Sequence, residues 1–427
     1  MGGALLRQKG GTLMKMGEKG KTVRLGILGL GSRGFEQTAL LASMPDVQIR
    51  AVYDPWPDRI ERMIKKLSAL VSDPVIAADS EESLLAREDV DAAVIMTDWE
   101  SHIRLAIRAM EMGKHAGMEV GGAVSVQECW DLVRAAQRTG KGCMLLENCC
   151  YNREEMALLN MVRDGLFGEL VHCQGGYQHD LRDEIGLGDK NRHYRQHHFA
   201  ARNGELYPTH ELGPISLYLD LNGKNRMLSL VSMASKAVGL SHWLKENRPD
   251  RPELAAHRFT EGDVVTTMIR CARGETILLT HDCTLPRPYS RGGRIQGTKA
   301  IWMEDNRSIY VDDVTPHLAN DFSHSWESDE KYMARYESAL WKEYREFGLR
   351  GGHGGMDYLS LRGFIEAIQQ GTPMPIDVYD AAMLMCITPL SEQSVACGSL
   401  PVPIPDFTEG RFLTDRPRAE GPYRLAP

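Results

Sequence analysis

The chain has 427 residues, 42% hydrophobic and 25% charged, with a formal net charge of -8. That composition predicts a globular protein of two or three domains and excludes a basic face for nucleic acid or an anionic membrane. No apolar run nears the roughly 18 residues of a membrane span, and an odd count of nine cysteines, two of them adjacent (Cys149 and Cys150), predicts a reduced chain in a cytoplasmic setting.

Residues 1–20 are Gly- and Lys-rich and lack the apolar core of a signal peptide. They are expected to form a flexible extension, with Met14 or Met16 as alternative starts. From Val23 to Gly34 (VRLGILGLGSRG) an apolar run meets Gly29, Gly31 and Gly34 in G-x-G-x-x-G spacing. The pattern predicts a buried strand, a tight turn over Ser32 and Arg33 that lets backbone approach a diphosphate, and a helix over Phe35–Ser43 whose N-terminal N–H groups face it. The next strand, Val47–Val52, leads to Asp54, about 20 residues past the last glycine. A carboxylate there accepts from both ribose hydroxyls and repels a 2′-phosphate, which favours NAD over NADP.

Alternation continues: helix Asp58–Leu70, strand Pro74–Ala77, helix Glu81–Ala86, strand Ala92–Met96, helix Trp99–Met112, strand His115–Met118, helix Val126–Thr139 and strand Gly142–Leu146. This is the doubly wound α/β pattern, and it assigns residues 21–148 to a dinucleotide-binding domain. Ligands in that topology lie at the carboxyl ends of the strands. Asp98, Trp99 and His102 after the fourth strand, Glu119 after the fifth, and Glu147 and Asn148 after the sixth are therefore candidate cofactor contacts, although helix capping explains Asp98 equally well.

Residues 149–427 read as a second, α+β domain. After a helix over Arg153–Asp164, strand-like runs dominate: Leu170–Tyr177, Met227–Ala234, Val264–Arg270, Thr276–Asp282, Arg294–Gln296 and Ala300–Met303. They predict an open, mostly antiparallel sheet. Asp180–Asn203 is polar, rich in His and Arg and without period, so it reads as a long functional loop. Helices are predicted near Glu330–Glu346, over Met356–Gln370 and over Val378–Gly398, and the tail from Pro401 is extended. His193, His197 and His198 prompt a metal check, but no nearby pattern completes a ligand set and no metal is expected.

The pairing of a Rossmann domain with an open-sheet second domain resembles the Gfo/Idh/MocA oxidoreductases. Most of these carry Glu-Lys-Pro after the fifth strand, with the lysine near the transferred hydride. The matching stretch here is Met118-Glu119-Val120-Gly121, so the lysine is replaced by Val120. Further motifs are similar to glycoside hydrolase family 109: LLENCCY (Leu145–Tyr151), GGYQHDLR (Gly175–Arg182), LYPTHELGP (Leu206–Pro214), PRPYSR (Pro286–Arg291), GHGGMD (Gly352–Asp357) and VYDAA (Val378–Ala382). That family is known for NAD-dependent α-N-acetylgalactosaminidases. The stretch Asn191–Gly204 departs from the family's usual substrate loop.

The resemblance implies glycoside cleavage by a redox route. Hydride leaves C-3 of the sugar for NAD+, the C-2 proton becomes acidic, the C-1 group is eliminated, water adds and the hydride returns. The matching motifs hold no evident pair of acid/base carboxylates. Tyr177, at a strand end, is the candidate C-2 base, its pKa expected to be depressed by the nicotinamide charge or a nearby histidine. His210 is the candidate for the C-3 hydroxyl proton or the leaving group. His179, Tyr207, Tyr289, Arg291 and Glu147 are candidate sugar contacts. Each also has a bland alternative as a packed, capping or turn residue. A sugar 3-dehydrogenase releasing a keto product and a non-enzymatic NAD/sugar sensor use the same residues. Such second domains commonly pair face to face, so a dimer or larger homo-oligomer is expected.

Overall fold

The computed structural model describes residues 20–315, 325–414 and 416–425. The extension expected over residues 1–20 lies almost wholly outside them. The first third forms a six-stranded sheet of β1 (Val23–Leu28), β2 (Val47–Tyr53), β3 (Ile76–Ala77), β4 (Ala92–Ile95), β5 (His115–Met118) and β6 (Cys143–Leu145), ordered β3-β2-β1-β4-β5-β6 with every pairing parallel. Helical crossovers cover both faces, which is why β4 is apolar throughout and fully buried. Strand order reverses at β1 and β4 and opens a crevice at their carboxyl ends.

The helix after the glycine turn spans Ser32–Ala42 and starts earlier than the sequence suggested. Gly34 is inside its first turn, where a Cβ would collide with the Gly29 carbonyl. The close helix–strand contact, rather than the turn alone, uses that glycine.

The second sheet has nine strands: β7 (Leu170–Gln178), β8 (Met227–Ala234), β9 (Val264–Cys271), β10 (Thr276–Asp282), β11 (Arg294–Gly297), β12 (Ala300–Met303), β13 (Ser308–Val311), β14 (Glu327–Ser328) and β15 (Val402–Pro403). Their order is β14-β13-β12-β11-β7-β10-β9-β8-β15, and only β7 with β10 is parallel. Strand β9 alternates buried and exposed along its length, as expected of a sheet with one covered face.

Three expectations need correction. The loop over Asp180–Asn203 contains short helices, Arg182–Gly186, Gly188–Asn191 and Arg195–Ala201, each too short to show a hydrophobic period. The helix over Val378–Gly398 is two, Val378–Met385 and Ile387–Ala396. Pro389 has no N–H to continue the ladder to Met385. The predicted stretch near Glu330–Glu346 is likewise split, with Ser338 accepting from the Trp341 N–H to start the helix Ala339–Phe347.

The helix Met356–Gln370 returns from the second domain and packs on the first. Phe364 lies against Gly117 of β5, and Arg362 pairs with Asp46 at 2.7 Å with both side chains buried.

Candidate active site

At the glycine turn, a Cβ on Gly29 would strike the Met96 carbonyl, whereas one on Gly31 would meet only Arg59 Nη1 at 3.7 Å. The space beside Gly31 is open, and the helix Ser32–Ala42 begins with no side-chain cap. Those free N–H groups fit a diphosphate. Asp54 is buried at the end of β2, accepting from the Leu30 N–H at 2.7 Å and the Trp56 N–H at 2.9 Å, so its position relative to the turn is fixed. The residues present fit a dinucleotide.

Further along the crevice, Asp98 Oδ1 accepts from the Ser101 N–H and Oγ, the capping role weighed for it above. His102 departs from its expected place. It is buried beneath the turn, with Nε2 at 2.7 Å from the Thr97 carbonyl, and burial lowers its pKa, so it props the loop as a neutral ring. Trp99 is buried and forms a wall between the crevice and the second domain, its ring centroid 5.0 Å from Tyr194 and 5.8 Å from Tyr207. Glu119 and Asn148 are engaged by Arg33 and Asp357, respectively.

Past Trp99 the second domain contributes a compact aromatic and basic cluster. Tyr177 is the penultimate residue of β7, and its ring lies 4.3 Å from Tyr207, 5.7 Å from His210 and 6.4 Å from Tyr289. His179, two residues on, faces the same side, with Nδ1 3.2 Å from the Tyr177 hydroxyl. Tyr207 and His210 flank Pro208 at the start of the helix Thr209–Tyr218, and their rings meet edge to face at 4.9 Å. His210 Nδ1 bonds Glu147 Oε1 at 2.7 Å, and that oxygen also accepts from the Cys149 N–H. Burial opposes charge on Glu147, but His210 beside it and the hydrogen bonds from His210 and the Cys149 N–H hold its carboxyl below the ordinary value.

Sequence reasoning missed Arg195. It opens the helix Arg195–Ala201, is buried, and sets its guanidinium 5.7 Å from the Tyr177 ring, 5.3 Å from Tyr207 and 5.6 Å from Trp99. Its counter-charge is Glu184 at 2.5 Å. The only sequence signal was the His/Arg-rich composition of the segment. In the protein alone, burial pushes the Tyr177 phenol up, and Arg195 is the charge that works against this. Burial and Arg195 push His179 below its ordinary value, leaving it a neutral acceptor.

Tyr289 is half-exposed beside His179, with ring centroids 5.1 Å apart. Arg291 differs from expectation. Its side chain is buried and paired with Glu155 at 2.8 Å and with Glu304 at 3.7 Å, so carboxylates on the core side of the turn hold its charge. The three histidines checked for metal diverge: His193 faces Glu184, His197 faces Glu100, and His198 packs on Trp99. Glu147, Cys149 and His210 have possible ligand atoms within 4.8 Å of one another. However, the Glu147–His210 hydrogen bond already uses two of them. All nine cysteines are unpaired, and no helix among the described residues is long and apolar enough to cross a membrane.

A Rossmann crevice that opens onto a mixed-sheet domain through a Tyr/His/Arg cluster defines a protein of the Gfo/Idh/MocA oxidoreductase superfamily. Residues 23–146 match the oxidoreductase family with an NAD-binding Rossmann fold, and residues 151–414 match the C-terminal domain of glycosyl hydrolase 109. The chain belongs to glycosyl hydrolase family 109. It is 40% identical to a family 109 protein of Stenotrophomonas maltophilia strain K279a, over 93% of this chain and 92% of that protein. It is 38% identical to an alpha-N-acetylgalactosaminidase of Tannerella forsythia, over 94% and 89%. Among solved structures, myo-inositol 2-dehydrogenase from Lactobacillus plantarum has a TM-score of 0.63 at 14% identity, covering 90% of this chain and all (100%) of that one. An Agrobacterium radiobacter oxidoreductase in complex with NAD+, L-tartaric acid and magnesium has a TM-score of 0.62 at 15% identity, covering 90% and 99%. These two likenesses concern the fold.

Proposed function

We propose that this chain is an NAD-dependent glycosidase, with residues 21–148 as its cofactor domain and residues 149–427 as its substrate domain, and with a terminal α-N-acetylgalactosaminide as its leading candidate substrate. The identity to the Tannerella forsythia enzyme supports that substrate. The observation that carries the reading is the adjacency of two distinct proton-transfer groups, Tyr177 with Arg195 and His210 with Glu147, whose Tyr177 and His210 rings lie 5.7 Å apart at the crevice.

Held at the glycine turn and Asp54, NAD would supply a hydride acceptor that can make C-3 of the sugar a ketone and, once reduced, a hydride donor that can reverse it. Glu147 fixes the His210 tautomer with the proton on Nδ1, which leaves Nε2 to take the C-3 hydroxyl proton. Tyr177 takes the C-2 proton, which the C-3 ketone has made acidic. It does so as a phenolate: His179 Nδ1, 3.2 Å from the phenol oxygen, first takes the phenol proton, and Arg195 stabilises the negative charge left on Tyr177. Elimination then expels the C-1 group, whose oxygen takes the proton held on His179; water adds its hydroxyl to C-1 and gives its proton to His179, Tyr177 returns a proton to C-2 and regains its own from His179, and His210 returns its proton to the C-3 oxygen. Trp99 and Tyr207 exclude bulk water between the two halves of the site.

The test is to incubate the purified chain with p-nitrophenyl glycosides, with and without added NAD+, following aglycone and NADH together. Aglycone release without net NADH is expected. Stoichiometric NADH, or a 3-keto product with no release, would instead establish a sugar dehydrogenase.

A further inference from the structure

The motif Gly352–Asp357 plays no part in the chemistry above, yet its aspartate reaches across both domains. Asp357 is buried at the start of the helix Met356–Gln370, and its two oxygens gather four side chains. Arg33 binds them bidentately, Nη1 at 2.7 Å and Nη2 at 2.9 Å. Gln37 Nε2 donates at 2.9 Å, Asn148 Nδ2 at 2.6 Å, and His353 Nδ1 lies 2.9 Å away. The loop that presents Asp357 is strained. His353, Gly354 and Gly355 run consecutively at φ 52°, 65° and 101°, although only two of the three are glycine. Such backbone is held in place by surrounding contacts and concentrates at functional sites.

Arg33 stands in the glycine turn, and its Nε donates to Glu119 Oε1 at 2.8 Å. The other oxygen of Glu119 accepts from the Val120 N–H at 3.2 Å, the position where related dehydrogenases carry lysine. The guanidinium is thus clamped between two carboxylates, one per domain, while about 29% of its side chain stays exposed. Both remaining cofactor-side residues of this end, Asn148 and Glu119, are joined to the same network.

We propose that Asp357 is a positioning residue for the cofactor site, acting from the second domain through Arg33 and Asn148 to hold both in place before a dinucleotide arrives. The proposal rests on the reading of the crevice as an NAD site. Prior ordering removes the entropic cost of fixing a long, flexible cation during binding. An arginine does not release its proton at working pH, so the positive charge at this end is permanent, and proton exchange with the sugar is left to Tyr177 and His210.

The test is a binding cycle on the full chain, titrating NADH and following energy transfer from protein tryptophan. Asp357→Asn is expected to weaken NADH binding roughly tenfold or more. In an Arg33→Met/Asn148→Ala background the same substitution is expected to change it by less than about twofold, because its routes of action are gone. Wild-type affinity in Asp357→Asn, or an undiminished loss in that background, would overturn the proposal. If Asp357→Asn does not fold, Arg33→Lys decides: lysine keeps the charge but loses the fork, so wild-type affinity there overturns the proposal and weakened affinity with an unchanged melting temperature upholds it. The titration reads nucleotide binding alone. A chain that binds NADH but cleaves no glycoside would refute the glycosidase reading and leave this result standing.

Discussion

At the scale of single residues, the site divides its work by environment. His210 is oriented by a buried carboxylate, while Tyr177 is buried, raised in pKa and served by one cation, Arg195. A tyrosine in that state is a poor base until negative charge on its oxygen is stabilised, so the guanidinium and the tyrosine act as a unit. Tyr177→Phe should lower exchange of the C-2 proton for deuterium by about 10²- to 10⁴-fold while NAD binding stays unchanged. NMR of the sugar in heavy water measures the exchange, and a wild-type rate would remove Tyr177 from the mechanism. Tyr177, His179, Tyr207 and His210 were legible in the sequence because they sit in short motifs at the ends of recognisable elements. Arg195 was not, because its role depends on where a helix of seven residues is packed.

At the scale of elements, the segment that leads into Tyr207 is anchored from below. Glu261 Oε2 accepts from the Gly204 N–H at 2.9 Å, His281 Nδ1 lies 3.1 Å from the same glutamate, and Glu205 is buried beside them. Burial pushes the Glu205 carboxyl up to about 7, with Glu261 reinforcing this and His281 opposing it. A carboxyl raised in the folded state contributes stability that is full below its unfolded value, near 4.5, and is lost as pH rises through about 7. Between about pH 5 and pH 8 the native chain should therefore lose stability relative to Glu205→Gln, whose isosteric amide does not titrate. Thermal melts of both proteins at the two pH values check this, and parallel shifts would refute it. Nothing in the local sequence marked Glu205, since its partners come from β10 and from the turn before β9.

At the scale of the whole molecule, the second domain closes on the first through buried charge. Arg362 and Asp46 pair at 2.7 Å across the interface, and Gln369 adds a third contact to Asp46 at 2.8 Å. Arg362→Met should cost about 3–5 kcal/mol by leaving Asp46 buried without its cation. Adding Asp46→Asn should recover part of that loss, and urea unfolding of the two variants measures both effects. The sequence by itself determined the parallel sheet followed by a mostly antiparallel one, the glycine turn with Asp54 at the end of the next strand, and most of the Tyr/His motifs. Each of these is written in local periodicity, glycine spacing or a contiguous motif. Only the tertiary structure decided that Arg195 supplies the cation at Tyr177, that Arg291 faces the core, that His102 props a loop, and that Asp357 holds Arg33 from 324 positions away. Those assignments depend on which side chains meet once separate elements have packed, and no local pattern encodes that meeting.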